Sequence, residues 1–278
     1  MRRLTRAFRA GLAILVLDLP ASALSGQRTE AAEEVSLPPT LVTEGTLPAT
    51  EVEATFTISK SREAREYGFG LSSIQYAPVP SFGLKLAVPF AQSDPRDSAP
   101  TVGGIGDVSV MAKYAPLILP REQFALSGGL KLTVPTGSER RELGGKFAVA
   151  PFLAAGKGFG PVSLQADAFY SWQVNRPRTI KPEAEGEEPV RPDKEQGVTA
   201  NLTAIYYPVE RLSLILELNS ATVVRGDETL KERVQLYLTP GVGVEPGSGW
   251  SLRGGIQLPV TTAKEFDYNL IVIVTKGF

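Results

Sequence analysis

Three features of this 278-residue sequence predict an all-β protein, an antiparallel up-and-down transmembrane β-barrel of about twelve strands. Apolar and polar residues alternate with period two through most of residues 50–278. The connections between the alternating segments are long and charged, then short and rich in Gly or Pro, in turn. The chain opens on an export pattern, yet no later segment reaches the ~18 apolar residues of a membrane helix.

Residues 1–23 read as a secretory signal peptide. Arg2, Arg3, Arg6 and Arg9 form its positive start, Gly11 to Leu19 its apolar stretch, and Ala21-Ser22-Ala23 its small-residue cleavage pattern. Residues 24–49 carry Pro38, Pro39 and Pro48 among Glu and Thr, and read as a flexible periplasmic lead-in. Residues 50–278 then form the barrel domain.

Strands are expected at about 50–60, 66–77, 81–91, 103–115, 122–135, 144–156, 161–174, 197–208, 211–224, 232–245, 249–261 and 266–278. The alternation is plainest in 124–134 (Phe124, Leu126, Leu130, Leu132, Val134 on one face) and in 212–218 (Leu212, Leu214, Leu216, Leu218). The last strand puts Phe266, Tyr268, Leu270, Val272, Val274 and Phe278 on one side. Most segments exceed the ~5–6 residues of a soluble strand and approach the ~9–11 of a membrane strand.

With the N-terminus in the periplasm, even-to-odd connections should be short and odd-to-even ones long. Pro78-Val79-Pro80, residues 116–121, Gly156 to Gly160, Val209-Glu210 and Pro246-Gly247-Ser248 fit the short set. Residues 92–102, 136–143, 175–196 and 225–231 fit the long one, and Thr262 to Glu265 is short where length is expected. The 175–196 loop has six acids, five bases and four prolines, too polar for a core of its own.

Composition removes several function classes. The net charge of -1 lacks the basic excess of a nucleic-acid binder. With no His and no Cys, the usual catalytic triads, zinc sites, iron–sulfur clusters and disulfide frameworks are excluded. No calcium-loop spacing occurs. No catalytic residue, metal or cofactor is expected, and the protein reads as a non-enzyme.

The inward phase of the strands carries Lys85, Asp107, Lys113, Lys131, Asp167, Glu217, Arg253 and Asp267. Facing lipid, a midplane Lys or Arg would cost ~2–4 kcal/mol, so these are the lumen-lining candidates. They would either form interior salt bridges that plug the barrel or line a solute path. A turn centred near Leu119 would set Asp107 opposite Lys131 and bring them into cross-strand contact.

Two blocks carry a family resemblance. Gly104-Ile105-Gly106-Asp107 with Lys113-Tyr114, and Leu130-Lys131-Leu132-Thr133-Val134-Pro135-Thr136-Gly137, resemble the outer-membrane barrel family named for the MetA pathway of phenol degradation. Tyr67-Gly68 and Tyr76-Ala77-Pro78-Val79 fit similar positions, and the resemblance spans about 50–278. It implies a barrel of about this strand number that passes small solutes, hydrophobic or aromatic ones among them. The terminal Phe278 resembles the signal read by the bacterial barrel-assembly machinery, although Lys276 departs from the pattern.

The expectation is therefore a channel or transporter of the bacterial outer membrane. Its partners would be membrane lipid, lipopolysaccharide, the assembly machinery and a small-molecule solute, with no nucleic acid. Two alternatives stay open: a structural or adhesive barrel with a plugged lumen, and a soluble exported β-sandwich binding protein.

Overall fold

The computed structural model describes residues 34–96, 100–138, 143–175, 194–226 and 233–278. The signal peptide expected at 1–23 lies outside the described residues. Fourteen strand segments follow one another: β1 (Glu51–Lys60), β2 (Ala64–Val79), β3 (Phe82–Ala87), β4 (Phe90–Pro95), β5 (Val102–Ile105), β6 (Val108–Leu119) and β7 (Phe124–Val134). After these come β8 (Ala148–Phe159), β9 (Val162–Gln173), β10 (Gln196–Val209), β11 (Leu212–Arg225), β12 (Val234–Gly247), β13 (Trp250–Pro259) and β14 (Tyr268–Gly277). All pairings are antiparallel, and β1 bonds both β2 and β14, which closes the sheet.

Two interruptions separate fourteen segments from the twelve expected. β3 and β4 together make the third stave of the barrel, and β5 and β6 the fourth. Pro89 has no N–H to donate and breaks the third stave; Gly106-Asp107 breaks the fourth at the same level, with Phe90 opposite Ile105 and Ala87 opposite Ser109. The barrel is thus a closed twelve-stave antiparallel cylinder, not a two-sheet sandwich. Closure is what leaves no strand edge unpaired in lipid.

The short connections are tight turns at one end of the cylinder. Ser248 and Gly249 join β12 to β13 with φ of 53° and 73°, the pair of positive values that a two-residue type I′ hairpin demands. Gly160 and Arg211 also adopt positive φ in the β8–β9 and β10–β11 turns. Both strand termini of the sheet lie at this end, since Glu51 pairs with Gly277. The opposite end carries the longer loops.

The burial pattern is that of an inside-out protein. Leu202, Leu218, Leu238 and Leu258 are cross-strand neighbours around the wall and all are exposed. One step along the strands, Thr203, Glu217 and Thr239 form the next row and each is 0% exposed. Apolar side chains cover the outside and polar ones predominate inside, which water-driven folding would reverse. Tyr76, Tyr114, Phe159, Tyr206, Trp250 and Phe278 ring the short-turn end, and Tyr170 and Trp172 stand near the long-loop end. From Leu164 to Trp172 the apolar face of β9 spans about 20 Å along the barrel axis after strand tilt. That approaches the ~25 Å band of a membrane barrel.

Leu218 lies midway along β11 on the outer face. Leu218→Arg is expected to lower unfolding stability in lipid vesicles by about 2–4 kcal/mol, measured by urea titration. An unchanged midpoint would show that this face does not meet hydrocarbon.

Candidate functional site

Residues 34–50 depart most from the sequence expectation. They are no flexible lead-in. They enter the barrel at the short-turn end, pass into the lumen and return to the same end, as a strap. Gln123, in the β6–β7 turn, grips the entry: its Oε1 accepts from Ser36 N at 3.0 Å and its Nε2 donates to Glu34 O at 3.1 Å. The return is fixed at Thr50, whose Oγ1 accepts from Ala77 N and whose carbonyl accepts from Phe278 N, each at 3.1 Å. In between, Thr40, Leu41, Thr43 and Thr46 are buried.

Glu217 is the main anchor. Its carboxylate accepts the backbone N–H groups of Leu41 (2.6 Å), Val42 (2.9 Å) and Thr43 (3.0 Å), and the Thr43 hydroxyl at 3.2 Å. Glu217 stands five residues along β11 from its turn, roughly 12 Å into the barrel. Asp167 accepts Glu44 N at 2.6 Å. Gln165 accepts Thr46 N and donates Nε2 to Pro38 O at 2.6 Å, bridging the two arms of the strap. Arg253 donates to Thr40 O, to Glu53 at 3.0 Å and to Thr275 Oγ1 at 2.5 Å, tying the strap to the β13–β14–β1 seam.

Glu44 closes the set. Its carboxylate bridges Lys85 (2.9 Å) and Lys113 (2.7 Å), one oxygen to each, and Lys113 also donates to Gly45 O. Burial pushes the Glu44 carboxyl up, but the two ammoniums outweigh it and bring its pKa from an ordinary 4.5 to about 2.

The wall is shaped to the strap. A Cβ at Gly156 would overlap Leu37, one at Gly241 or Gly255 would overlap Leu41, and one at Gly83 would meet Pro48 Cβ at 2.9 Å. Leu41 then packs with Ile205, Ile215, Ile271 and Ile273. Beyond the strap, towards the long loops, a polar ladder runs round the inner wall. Asn201 donates to Asp167, Asn219 to Asn201, Thr239 and Gln257 to Asn219, and Asn269 to Gln257.

The sequence-derived candidates therefore separate. Lys85, Lys113, Asp167, Glu217 and Arg253 converge on the strap. Lys131 faces inward on the same wall, and among the described residues no carboxylate lies within ion-pairing distance of it. Asp267 is at the long-loop rim, not in the barrel wall. It sits in the bend before β14 and pairs with Lys264 at 2.8 Å, whose hydrogen bond lowers its pKa.

Asp107 does not touch Lys131, because Met111 is the residue opposite Lys131. The β6–β7 turn runs on to Gln123, with Leu119 opposite Phe124, so its centre lies beyond Leu119 and displaces the pairing from the one expected. The register shift between Tyr114 and Leu117 takes back only one residue of that displacement. Asp107 instead accepts Gly137 N, Gly145 N and Lys146 N, each at 2.8 Å, and so fastens the β7–β8 connection at the long-loop end. Thr136 mends the broken fourth stave, accepting Val108 N at 2.8 Å and donating to Gly106 O at 3.0 Å. The Gly-Ile-Gly-Asp and Pro-Thr-Gly blocks are thus two halves of one structural clasp.

Sequence reasoning missed the strap. One signal was present: Glu44 is the only charged residue between Val35 and Thr50, an unusual scarcity for a solvated linker.

The architecture has known counterparts. An outer-membrane channel from Pseudomonas putida F1 superposes with a TM-score of 0.64 at 14% identity, covering 91% of this chain and 100% of that one. The NanC porin superposes with a TM-score of 0.53 at 8% identity, covering 82% of this chain and 98% of that one. No protein-family model matches the sequence, and no curated protein matches it significantly. The likeness shows the fold: a β-barrel of the outer-membrane type, similar to a channel and a porin.

Two outcomes follow from the anchors. Charge-assisted hydrogen bonds contribute ~1.5–3 kcal/mol each. Glu217→Ala should therefore speed amide hydrogen exchange at Leu41 to Thr43 by ~100-fold or more, whereas Glu217→Gln should do so less. Unchanged protection would exclude Glu217 as the anchor. The Glu44 tie has a depressed folded-state pKa, so its stabilisation is complete above pH 4.5 and disappears as pH falls towards about 2. Proteolysis of the strap should accelerate across that acid window in the wild type and stay flat there in Glu44→Gln.

Proposed function

We propose that the chain is a channel of the bacterial outer membrane for small solutes, with its short turns in the periplasm and its strap as an internal constriction. One observation carries this reading. Lys85, Lys113, Gln165 and Glu217 bond to the strap and not to one another across the lumen. Wall-to-wall ties such as Arg253–Glu53 and Asn201–Asp167 join staves on the same side, so withdrawal of the strap would leave these four residues without a partner across the lumen and would open it. Even with the strap seated, a space of about 820 Å³ remains around it, bordered by Glu51, Lys85, Tyr207 and Arg253.

The motif resemblance to the MetA-pathway barrels supports hydrophobic or aromatic solutes among those passed. The apolar outer face suits membrane lipid and lipopolysaccharide. Phe278 is 78% exposed at the end of the closing strand, where the assembly machinery could read it. The chain, without His or Cys, works as a non-enzyme on this reading.

The strap also favours a second reading, a barrel whose lumen stays plugged and whose role is structural or adhesive. Planar-bilayer recording separates the two. A channel predicts rare or small openings for the full chain and at least several-fold more frequent ones for Glu217→Ala. Silence in both, with no solute flux into vesicles, would favour the plugged barrel.

A further inference from the structure

Three lysines inside the barrel are grouped. Lys85, Lys113 and Lys131 stand on one wall, formed by β3, β6 and β7. Met111 lies between them: it pairs with Lys85 on one side and Lys131 on the other, and Lys113 is the next inward residue of its own strand. Among the described residues, Glu44 is the one carboxylate within ion-pairing distance of this group. It belongs to the strap and not to the wall.

An apolar patch adjoins the lysines. Met111 clusters with Phe152 and Ala154, and Phe169 packs against them with its ring stacked on Phe152 at 4.8 Å between centroids. Gly129 is the cross-strand partner of both Lys113 and Phe152. A Cβ there would strike Phe152 Cε1 at 2.7 Å and the Ala112 carbonyl, so the Phe152 ring lies over Gly129, the strand neighbour of Lys113.

We propose that Lys85 and Lys113, with Met111 and Phe152 beside them, form a binding subsite for small organic carboxylates with an apolar body, and that Glu44 is its resident occupant. The subsite rests on the reading of the lumen as a solute path. Two ammoniums that each take a separate oxygen, at 2.9 and 2.7 Å, match a bridging carboxylate. The flanking methionine and phenylalanine favour a ring or chain over a bare inorganic anion. A solute carboxylate would compete with Glu44 and hold the lysines while the strap is withdrawn. Glu44→Ala empties the subsite but leaves the backbone ties to Glu217 and Asp167 in place.

The test is calorimetric titration of full-length Glu44→Ala in detergent micelles with sodium benzoate, with acetate and inorganic phosphate for comparison. Benzoate should bind Glu44→Ala at least ~10-fold more tightly than it binds the wild type, and more tightly than acetate or phosphate. Adding Lys113→Met to Glu44→Ala should remove that binding. Equal affinity for wild type and variant, preference for phosphate, or no binding would overturn the subsite. Should Glu44→Ala fail to fold, Glu44→Gln keeps the shape without the charge. Benzoate should raise its thermal midpoint but not that of the wild type, and no rise would overturn the proposal. Conductance is a separate readout. Benzoate binding by a barrel that never conducts would support the subsite and defeat the channel reading. A conducting barrel indifferent to benzoate would defeat the subsite alone.

Discussion

A carboxylate at the centre of a narrow barrel must be bonded on all sides or it destabilises the fold. Glu217 meets that demand with the chain's own backbone: three successive N–H groups of the strap converge on its two oxygens. The arrangement satisfies both partners at once. An extended segment inside a lumen has no ladder partner, and its amides need acceptors as much as the carboxylate needs donors. Glu217, Asp167 and Gln165 supply those acceptors, and Arg253, Lys113 and Gln165 supply donors for the strap's carbonyls. Remove the strap and several buried charges lose their partners together.

The same constraint orders the rest of the molecule. Lipid outside forces every strand to pair, so the sheet closes; closure turns half of each strand inward, where leucine on the outer row gives way to threonine and glutamate. Where the strands are interrupted, at Pro89 and Gly106-Asp107, Gly106 N still donates to Pro89 O at 2.9 Å, and another part of the chain completes the repair. Thr136 takes up the Val108 amide, Asp107 holds the amides of Gly137, Gly145 and Lys146, and the connection so held lays Leu143 against Gly104 and Gly106. The glycines at 83, 156, 241 and 255 let apolar strap side chains approach the wall. Polar ties and glycine sockets therefore define one seated position for the strap.

Strand positions, the inside-out phase and the alternation of short and long connections were legible because period two is a local property. Each strand announces its own two faces, and inward placement of Lys85, Lys113, Asp167, Glu217 and Arg253 follows from parity alone. Register was not legible. The β6–β7 turn centres beyond Leu119, and a shift between Tyr114 and Leu117 breaks the count once more, so Asp107 could not be matched to its true partners by counting from a turn. The strap was hidden for a different reason. Its contacts with Glu217 and Asp167 span more than a hundred residues, and nothing in a Pro- and Thr-rich stretch points to a destination. The near absence of charge from 35 to 50 was the readable trace of its burial.

The strap occupies the lumen of the folded barrel, and a pair of thiols can report it there. The chain has no cysteine, so two introduced ones can pair only with each other within a monomer. Thr43 and Thr203 are both buried, and their hydroxyls are hydrogen-bonded to one another. The most direct measurement is mild oxidation of the Thr43→Cys/Thr203→Cys protein after folding in lipid vesicles. A near-quantitative intramolecular disulfide that forms in the folded barrel and not in urea is the predicted result. Failure to cross-link, with both thiols open to a water-soluble alkylating reagent, would place the strap outside the lumen.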